Sequence, residues 1–242
     1  MTVFAACAIA GAAVAVDSNI VGYTTKGLTA NQKAISGAQF VEVGEAELDL
    51  KSIAIANVPM DGGAIIQWWN GSGYEQAAWV EMNWDSGTPW WGDKDDWEME
   101  ITHTFAAGEG FWILMPNGVS GATITQAGEV AVDNVATFDY LLAANKKFLM
   151  INPLPTDLEL SDIAITNVPM DGGAIIQWWN GSGYNEAAWV EKNWDSGTPW
   201  WGDKDDWEVE ITHTFNPTDG FWILMPNGVS NPQIKFANKV IL

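Results

Sequence analysis

A duplication within the chain is the strongest constraint on its fold. Residues 57–120 return without a gap at 167–230, with a few changes such as Glu75 against Asn185. The segment "AAGE" of the first copy is replaced by "NPTD" in the second. The match weakens on both sides but continues, because "LDLKSIAIANVP" corresponds to "LELSDIAITNVP". The period is too long for a solenoid of small repeats, so two copies of one fold unit are predicted.

The chain divides into three predicted parts. Residues 1–16 form an apolar head, and the two repeat units occupy residues 17–127 and 128–242. With 242 residues and 48% apolar side chains, the chain can bury a substantial core. Disorder over most of its length is therefore excluded.

The local patterns are those of β structure. Short runs such as "AIIQWW" and "GFWILMP" are rich in β-branched and aromatic residues and are separated by Gly, Pro, Asn or Asp. Asn70-Gly71 and Asn180-Gly181 predict tight hairpins, and further turns are predicted at Asn117-Gly118 and Asn227-Gly228. Helix is expected only in short pieces, over 46–52 and 157–162. The predicted class is all-β, with tandem β-sandwich or barrel-like units of about six to eight strands each.

The net charge limits the partners that the chain can take. It has 31 acidic and 10 basic residues, which give a formal charge of −21. Such a surface repels nucleic acid and anionic lipid head groups, so nucleic-acid binding is excluded. Cations and neutral partners are favoured.

The apolar head indicates export. It ends in Ala13-Val14-Ala15, a small-x-small pattern that signal peptidase accepts, and it is followed by polar residues. No Lys or Arg precedes Lys26, so the positive segment typical of a signal peptide is missing. The head is too short for a stable membrane span. It is either a signal peptide or an ordered arm used in assembly, and a secreted or cell-surface location is predicted. The single cysteine, Cys7, lies in this head, so no disulfide can form within the chain.

Three motifs carry a resemblance to a known group of proteins. "NIVGY" near the start, "WWNGSGY" in the middle and "GEGFWI" near the end of the first unit resemble uncharacterised exported two-repeat β proteins of planctomycete and verrucomicrobial bacteria. The second unit departs from this pattern, because it has "TDGFWI" and no clear copy of "NIVGY". The resemblance implies a secreted β protein and implies no activity.

Sixteen tryptophans exceed what a core of this size needs, so some are candidates for an interaction or ligand surface. The stretch "PWWGDKDDWE" is predicted to be a loop, because Pro, Gly and clustered Asp disfavour a sheet ladder. Its tryptophans either cover one end of the fold, stack on sugar rings, or make subunit contacts. The full candidate set is Trp68, Trp69, Trp90, Trp91, Trp97, Trp178, Trp179, Trp200, Trp201 and Trp207.

The carboxylates of the same stretch are candidate ligands for a cation. Their alternation in each copy could present several oxygens to Ca²⁺, although the EF-hand spacing is absent. A solvated acidic loop is the alternative. The candidate calcium ligands are Asp93, Asp95, Asp96 and Glu98 with Asp203, Asp205, Asp206 and Glu208.

The sequence gives little support for catalysis. The only histidines, His103 and His213, lie in the repeated "EITHTF" and are interpreted as ordinary strand residues. No nucleophile elbow, phosphate loop or Cys-His pair is present. A pair of glycosidase carboxylates is not excluded by pattern alone, but a duplicated segment suits binding or assembly better than a single active site.

The sequence therefore predicts a secreted, non-enzymatic protein. In the first hypothesis it is a structural or surface-assembly protein that self-associates through its tryptophan loops and forms filaments or lattices. In the alternative it is a carbohydrate-binding module in which the same tryptophans stack on a glycan. No cofactor is predicted apart from the calcium ions considered above.

Overall fold

The structure is a computed structural model of the whole chain. It describes residues 21–42, 45, 47–60, 63–81, 87, 89–130, 137–154, 156–170, 173–180, 182–191, 197 and 199–237. The predicted apolar head, residues 1–16, lies outside the described residues. In the described ranges, no helix is long and apolar enough to cross a bilayer.

The described chain is almost entirely β, as predicted, and every strand pair is antiparallel. In residues 21–130, called the first half below, the strands are β1 (Val21–Leu28), β2 (Lys33–Gly37), β3 (Phe40–Val41), β4 (Glu47–Asp49), β5 (Ala54–Ala56), β6 (Ile65–Trp69), β7 (Tyr74–Glu81), β8 (Pro89–Gly92), β9 (Thr104–Ala106), β10 (Gly110–Leu114) and β11 (Ala122–Val130). In residues 137–237, the second half, they are β12 (Thr137–Leu141), β13 (Lys147–Ile151), β14 (Leu158–Glu159), β15 (Ile163–Thr166), β16 (Ile175–Trp179), β17 (Tyr184–Glu191), β18 (Pro199–Gly202), β19 (Thr214–Phe215), β20 (Gly220–Leu224) and β21 (Gln233–Ala237).

Each half builds its own set of sheets with matching order. The first half has a five-stranded sheet β2-β10-β6-β7-β8, and the second has β13-β20-β16-β17-β18. A smaller sheet accompanies each, with β11 pairing β1, β3 and β5 in the first half and with order β12-β21-β15 in the second. A two-stranded ladder, β4-β9 or β14-β19, completes each set. The described strands are shorter and more numerous than the predicted six to eight per unit, because several pair over only two or three residues.

The core of the first half lies between its larger and smaller sheets. Ile66 and Phe111 of the five-stranded sheet and Ile55 and Ile124 of the smaller sheet belong to one buried apolar cluster. An equivalent cluster in the second half contains Ile176, Phe221, Ile165 and Ile234. Apolar side chains from two facing sheets define a sandwich, and their burial supplies the main stabilisation of each half.

The predicted turns and short helices are present. Strands β6 and β7 form a hairpin across Asn70 and Gly71, and Gly71 has φ of 91°. Gly118 and Gly228 also have positive φ at their predicted turns. In the described residues, helix is confined to short 3-10 segments at Leu50–Ser52 and Leu160–Asp162, inside the two ranges predicted. Gly181 of the predicted Asn180-Gly181 turn lies outside the described residues, and the strands on either side of it, β16 and β17, pair as a hairpin.

One local prediction is wrong. The Pro89–Gly92 segment, predicted to be a loop, is strand β8, and Pro199–Gly202 is strand β18. Each is the last strand of its five-stranded sheet. Proline is tolerated there, because it begins an edge strand and has no need to donate to a further neighbour. Trp91, within β8, belongs to the buried core, and its burial offsets the poor strand propensity of Pro and Gly.

The two halves contact each other through reciprocal packing of edge strands on glycine. Ile35 of β2 lies against Gly220 at the start of β20, and Leu149 of β13 lies against Gly110 at the start of β10. These contacts are related by the internal duplication. Because glycine has no Cβ, the aliphatic side chain of one half can reach the backbone of the other.

Hydrogen bonds reinforce this contact. The Ile151 N–H donates to the Gly108 carbonyl at 2.9 Å, and Gln39 Nε2 donates to the Leu154 carbonyl at 3.2 Å. Both Gln39 and Leu154 are buried. The two halves are therefore joined by main-chain and side-chain bonds as well as by apolar packing.

A methyl group at Gly37 is expected to destabilise this contact. In the folded chain it would overlap the Glu109 carbonyl oxygen and would lie 2.9 Å from Ile151 Cγ1. Gly37→Ala should lower the free energy of unfolding by about 1–3 kcal/mol. Gly27→Ala is the matched control, because no atom lies within 4 Å of its Cβ position, and it should change stability by less than about 1 kcal/mol. Urea unfolding measures both, and equal stabilities of the two variants would contradict the packing described.

Candidate functional site between the two halves

Four of the predicted surface tryptophans lie in the core, and two of them, Trp68 and Trp178, also border the clefts described below. Trp91 and Trp201 are each only 2% exposed. The Trp91 indole N–H donates to the Ile53 carbonyl at 2.9 Å, and Trp201 makes the equivalent bond to Ile163. Both the rings and their polar atoms therefore serve the fold, and neither can stack on an external partner.

The remaining tryptophans of this stretch are partly exposed. Trp97 and Trp207 are 39% and 37% exposed, but each indole N–H donates to a backbone carbonyl three residues earlier. Trp90 similarly donates to the Trp97 carbonyl. The neighbouring Met99 and Val209 are also exposed. This region presents apolar surface in both halves, with its described indole donors used internally.

The acidic loop is organised by its own backbone. Asp93 Oδ1 accepts from the N–H groups of Asp95 and Asp96, and Asp203 does the same in the second half. Lys94 pairs with Asp95 at 2.5 Å. Among the described residues, no group of three His, Cys, Asp or Glu side chains is placed to hold a metal ion. Calcium binding at Asp93, Asp95, Asp96 and Glu98 and their counterparts stays a prediction.

Trp69, which is partly exposed, lines a cleft between the two halves, and the buried Trp68 lies in the wall of the same cleft. The cleft has a volume of about 450 Å³, within the range of small-ligand sites. The first half contributes the end of strand β6, the hairpin that follows it, and the segment around β9 and β10. The second half contributes the loop before β13 and strand β13 itself, including Lys146 and Phe148. This space is called the first cleft below.

An aromatic stack forms one wall of the first cleft. The Trp68 ring lies 4.4 Å from the His103 ring at an interplanar angle of 15°, and Phe105 meets both rings edge-on. Trp69 meets Tyr74 edge-on at 5.1 Å across the hairpin. Trp68, Trp69, Tyr74 and Phe105 lie in strands, whereas His103 immediately precedes β9 and is packed against Trp68 and Phe105.

Several polar atoms of this wall lack a hydrogen-bond partner within the described structure. They are Trp68 Nε1, Trp69 Nε1 and His103 Nε2, all buried. Trp68 is only 2% exposed, so water reaches it poorly. Buried indole N–H groups normally find an acceptor, and a group left without one destabilises the fold.

Glu109 is the carboxyl group of the first cleft. Its Oε2 accepts from the Ala106 N–H at 3.2 Å, and its Oε1 lies 4.0 Å from His103 Nε2. Burial raises the pKa of Glu109 to about 7, and the nearby Glu47 acts in the same direction. Burial also lowers the pKa of His103. Acid and imidazole are thus both favoured in their uncharged forms.

The duplication creates a second cleft on the opposite side of the contact. It has a volume of about 600 Å³ and is lined by Trp178, Trp179 and His213 of the second half. Trp178 stacks on His213 at 4.6 Å, and Trp179 is 52% exposed. The first half contributes Lys26, Lys33, Ile35 and Trp112. Another indole N–H without a partner, Trp112 Nε1, belongs to this second cleft.

The acid of the second cleft has a different environment. Asp219 Oδ2 accepts from both the backbone N–H and the side-chain amide of Asn216, at 2.9 and 2.8 Å. Lys26 is nearby, and its Nζ donates to the Ile35 carbonyl at 2.8 Å. Burial lowers the pKa of Lys26, and the charge of Asp219 opposes that shift. The second cleft therefore contains an internal pair of opposite charges.

The differences between the two copies concentrate at these clefts. Over residues 57–120 and 167–230 the differing pairs are Glu75/Asn185, Gln76/Glu186, Met82/Lys192, Met99/Val209, Ala106/Asn216, Ala107/Pro217, Gly108/Thr218 and Glu109/Asp219. The last four pairs form the segment that carries the acid of each cleft. Glu75 and Asn185 lie in β7 and β17, next to the hairpin turn of each half, and the negative charge of Glu75 raises the pKa of His103. The stacked rings are identical in both copies.

Sequence reasoning found only part of this site. Trp68, Trp69, Trp178 and Trp179 belong to the predicted set. The prediction of His103 and His213 as ordinary strand residues is wrong, because each lies immediately before a short strand, β9 or β19, and stacks on a tryptophan. Glu109, Asp219, Lys26 and Lys146 were missed as site residues. The change from "AAGE" to "NPTD" within a near-identical duplicate is the sequence signal that could have identified the acids.

Glu109→Gln is expected to stabilise the protein only at higher pH. A carboxyl whose folded pKa is raised destabilises the fold progressively between its usual pKa near 4.5 and its folded value of about 7. The neutral amide should therefore increase the free energy of unfolding by about 1–3 kcal/mol near pH 8 and by little near pH 4. Urea unfolding at both values measures this, with Glu98→Gln in the exposed loop as control. An effect that did not change with pH would show that Glu109 ionises normally.

No protein-family model matches the chain, and no curated protein matches it in sequence at a significant level. The geometry of the clefts is therefore the basis for an assignment.

Proposed function

We propose that the chain is an exported, non-enzymatic binding protein that takes carbohydrate in the clefts between its two halves. The observation that carries this proposal is that an accessible tryptophan at the end of a strand, Trp69 or Trp179, lines each of the two clefts, which have volumes of about 450 and 600 Å³. Export is supported by the apolar head with its small-x-small end.

Sugars match the chemistry of such a wall. A pyranose ring has an apolar C–H face that packs on an aromatic ring, and its oxygen atoms accept hydrogen bonds from N–H donors. Trp69 supplies aromatic surface to the first cleft, with Tyr74 edge-on beside it, and Trp179 and Tyr184 both line the second. Tyr74 and Tyr184 are 46% and 50% exposed, so both pairs are accessible to a ligand. Binding sites typically combine such aromatic surface with a few placed polar groups.

Two clefts on one chain favour a polymeric ligand. Each cleft offers a modest contact area, but a glycan chain or a surface with many identical sugars can occupy both at once. The second contact then forms at high effective concentration, which raises the overall affinity. Binding of this kind needs no catalytic group, and the uncharged states favoured for Glu109 and His103 suit hydrogen bonding.

Assembly is the second candidate function. The observation that favours it is the exposed pair Trp97 and Met99, which recurs as Trp207 and Val209 in the second half. Large apolar side chains exposed in both copies are typical of contact surfaces. Repeated units that meet through equivalent surfaces can extend into filaments or lattices.

Trp69→Ala is expected to weaken sugar binding by about tenfold or more, because it removes the aromatic surface at the mouth of the first cleft. Trp97→Ala is the matched control and should leave affinity within about twofold. Isothermal titration calorimetry against a panel of plant and microbial oligosaccharides measures both. Trp69→Phe, which keeps an aromatic ring, tests whether a loss reflects stacking or misfolding. Absence of binding by the unaltered protein across the panel would overturn the proposal.

The assembly candidate makes a different prediction. The double variant Trp97→Ala/Trp207→Ala should dissolve any ordered particles, because it removes the exposed indole of this loop from each half. Electron microscopy and sedimentation velocity measure particle size, with Trp69→Ala as control. Particles that persist unchanged in the double variant, or an unaltered protein that is monomeric at high concentration, would contradict assembly through these loops.

A further inference from the structure

The second cleft brings lysines together with an accessible aromatic surface. Lys26 and Lys33 of the first half belong to its described lining, and so does Trp179 of the second half, which is 52% exposed. The chain has a formal charge of −21 and 10 basic residues, so a pair of lysines in one cleft departs locally from the overall charge. The charges that face this cleft therefore bear on the ligands that it accepts.

Lys33 presents an ammonium group that no carboxylate of the described residues neutralises. Its Nζ lies 4.5 Å from the centre of the Trp112 ring and 5.3 Å from that of the Tyr74 ring, and these cation–π contacts fix its position. Partial burial lowers the pKa of Lys33, and no charge among the described residues acts on it. The side chain is still exposed, and an ammonium group carries three N–H donors. Lys33 can therefore donate to an oxygen anion that enters the cleft.

The other titratable groups in the described lining of the second cleft offset one another. Burial lowers the pKa of Lys26, and the negative charge of Asp219 opposes that shift, so these residues form a pair of opposite charges. Lys26 Nζ is also held by the Ile35 carbonyl, to which it donates at 2.8 Å. Burial lowers the pKa of His213, which favours its uncharged form near neutral pH. The excess positive charge of this lining is therefore that of Lys33.

The first cleft has the opposite bias. Glu109 lines it, and the negative charge of Glu47 acts on Glu109. The negative charge of Glu75 acts on His103 in the same wall. Lys146 also lines this cleft, but its Nζ already donates to a backbone carbonyl of the hairpin at 3.0 Å. An anionic ligand would be repelled by the glutamates, so the first cleft suits neutral saccharide units.

Building on the proposed carbohydrate binding, we infer that the second cleft binds an acidic saccharide unit, whose anionic group contacts the Lys33 ammonium while its sugar ring packs on Trp179. The anionic group is a carboxylate or a sulfate ester, since an ammonium group donates to the oxygen atoms of either one. Lys33 and Trp179 come from different halves, so the site requires both copies. The net charge of −21 repels such a ligand at long range, but salt at about 0.15 M screens that repulsion beyond roughly 8 Å.

The test compares acidic oligosaccharides with neutral forms of the same chains. Trigalacturonate is paired with its methyl ester, and a sulfated galactose trisaccharide is paired with its desulfated form. Calorimetric titrations are made with the whole chain at about pH 7.5 in about 0.15 M NaCl. At least one acid should bind about fivefold or more tightly than its neutral form, and the pair that shows the difference identifies the anionic group. Equal affinities within both pairs would overturn the inference.

Lys33→Gln should reduce the preference for the acid to within about twofold, because the amide carries no charge. Lys147→Gln is the matched control. Lys147 is the equivalent lysine of the second half, since it pairs with Leu224 as Lys33 pairs with Leu114, and its Nζ lies over Trp222 at 4.3 Å. It is outside the described lining of both clefts, so its variant should keep the preference of the unaltered protein. Lys33→Arg retains the charge and should also keep the preference, which separates loss of charge from misfolding.

The tryptophans identify the cleft that is occupied. Trp179→Ala should weaken binding of the acidic trisaccharide about tenfold, whereas Trp69→Ala in the first cleft should leave it within about twofold. A preference for the acid that survives Lys33→Gln would show that the anion binds elsewhere, and would overturn the inference. A preference that Lys147→Gln removes to the same extent would show an effect of general surface charge, and would overturn it too.

Failure of the proposed function has a different signature. A protein that binds neutral oligosaccharides with dependence on Trp69 or Trp179, but shows no preference for an acid, retains the proposed function and contradicts only the inference. A protein that binds no saccharide, acidic or neutral, contradicts both.

Discussion

The packing of each edge strand on a glycine of the opposite half is the contact on which both clefts depend. Ile35 reaches Gly220, and Leu149 reaches Gly110, so the larger sheets approach closely along one line. The aromatic walls lie on either side of that line, and each is faced by residues of the other half. A bulkier residue at these glycines would separate the halves and open the clefts. The site is therefore a property of the contact between two copies and is absent from either copy alone.

The fold was largely predictable from local sequence, because its signals are short-range. Asn70-Gly71 specifies a hairpin through its preference for positive φ, and the aromatic runs around it specify strands. The same local logic failed at Pro89–Gly92, where burial of Trp91 and an edge position outweighed the low strand propensity of proline and glycine. Tertiary packing determined the conformation of that segment, and strand propensities do not include tertiary packing.

The candidate site was less predictable, because its residues are distant in sequence. Lys146 meets the Gly71 hairpin across 75 positions, and Glu109 meets β13 through a backbone bridge to Met150. No spacing rule joins such residues. The abundance of tryptophan correctly indicated that some tryptophans line a cleft. Composition alone could not distinguish Trp91, which is buried in the core, from Trp69, which lines the first cleft. Only the internal comparison of the two copies contained information about the acids.

That comparison also bears on why the chain holds two copies with so little difference between them. The stacked rings, the hairpin asparagines and the indole bonds to Ile53 and Ile163 are the same in both, which is what a shared framework requires. Change is concentrated where the partly buried Glu109 accepts a hydrogen bond from Ala106 and where Asp219 accepts hydrogen bonds from Asn216. Shortening the acid by one methylene and adding an amide beside it alters which hydrogen bonds the cleft can make without disturbing the core. One framework thus presents two chemically distinct clefts.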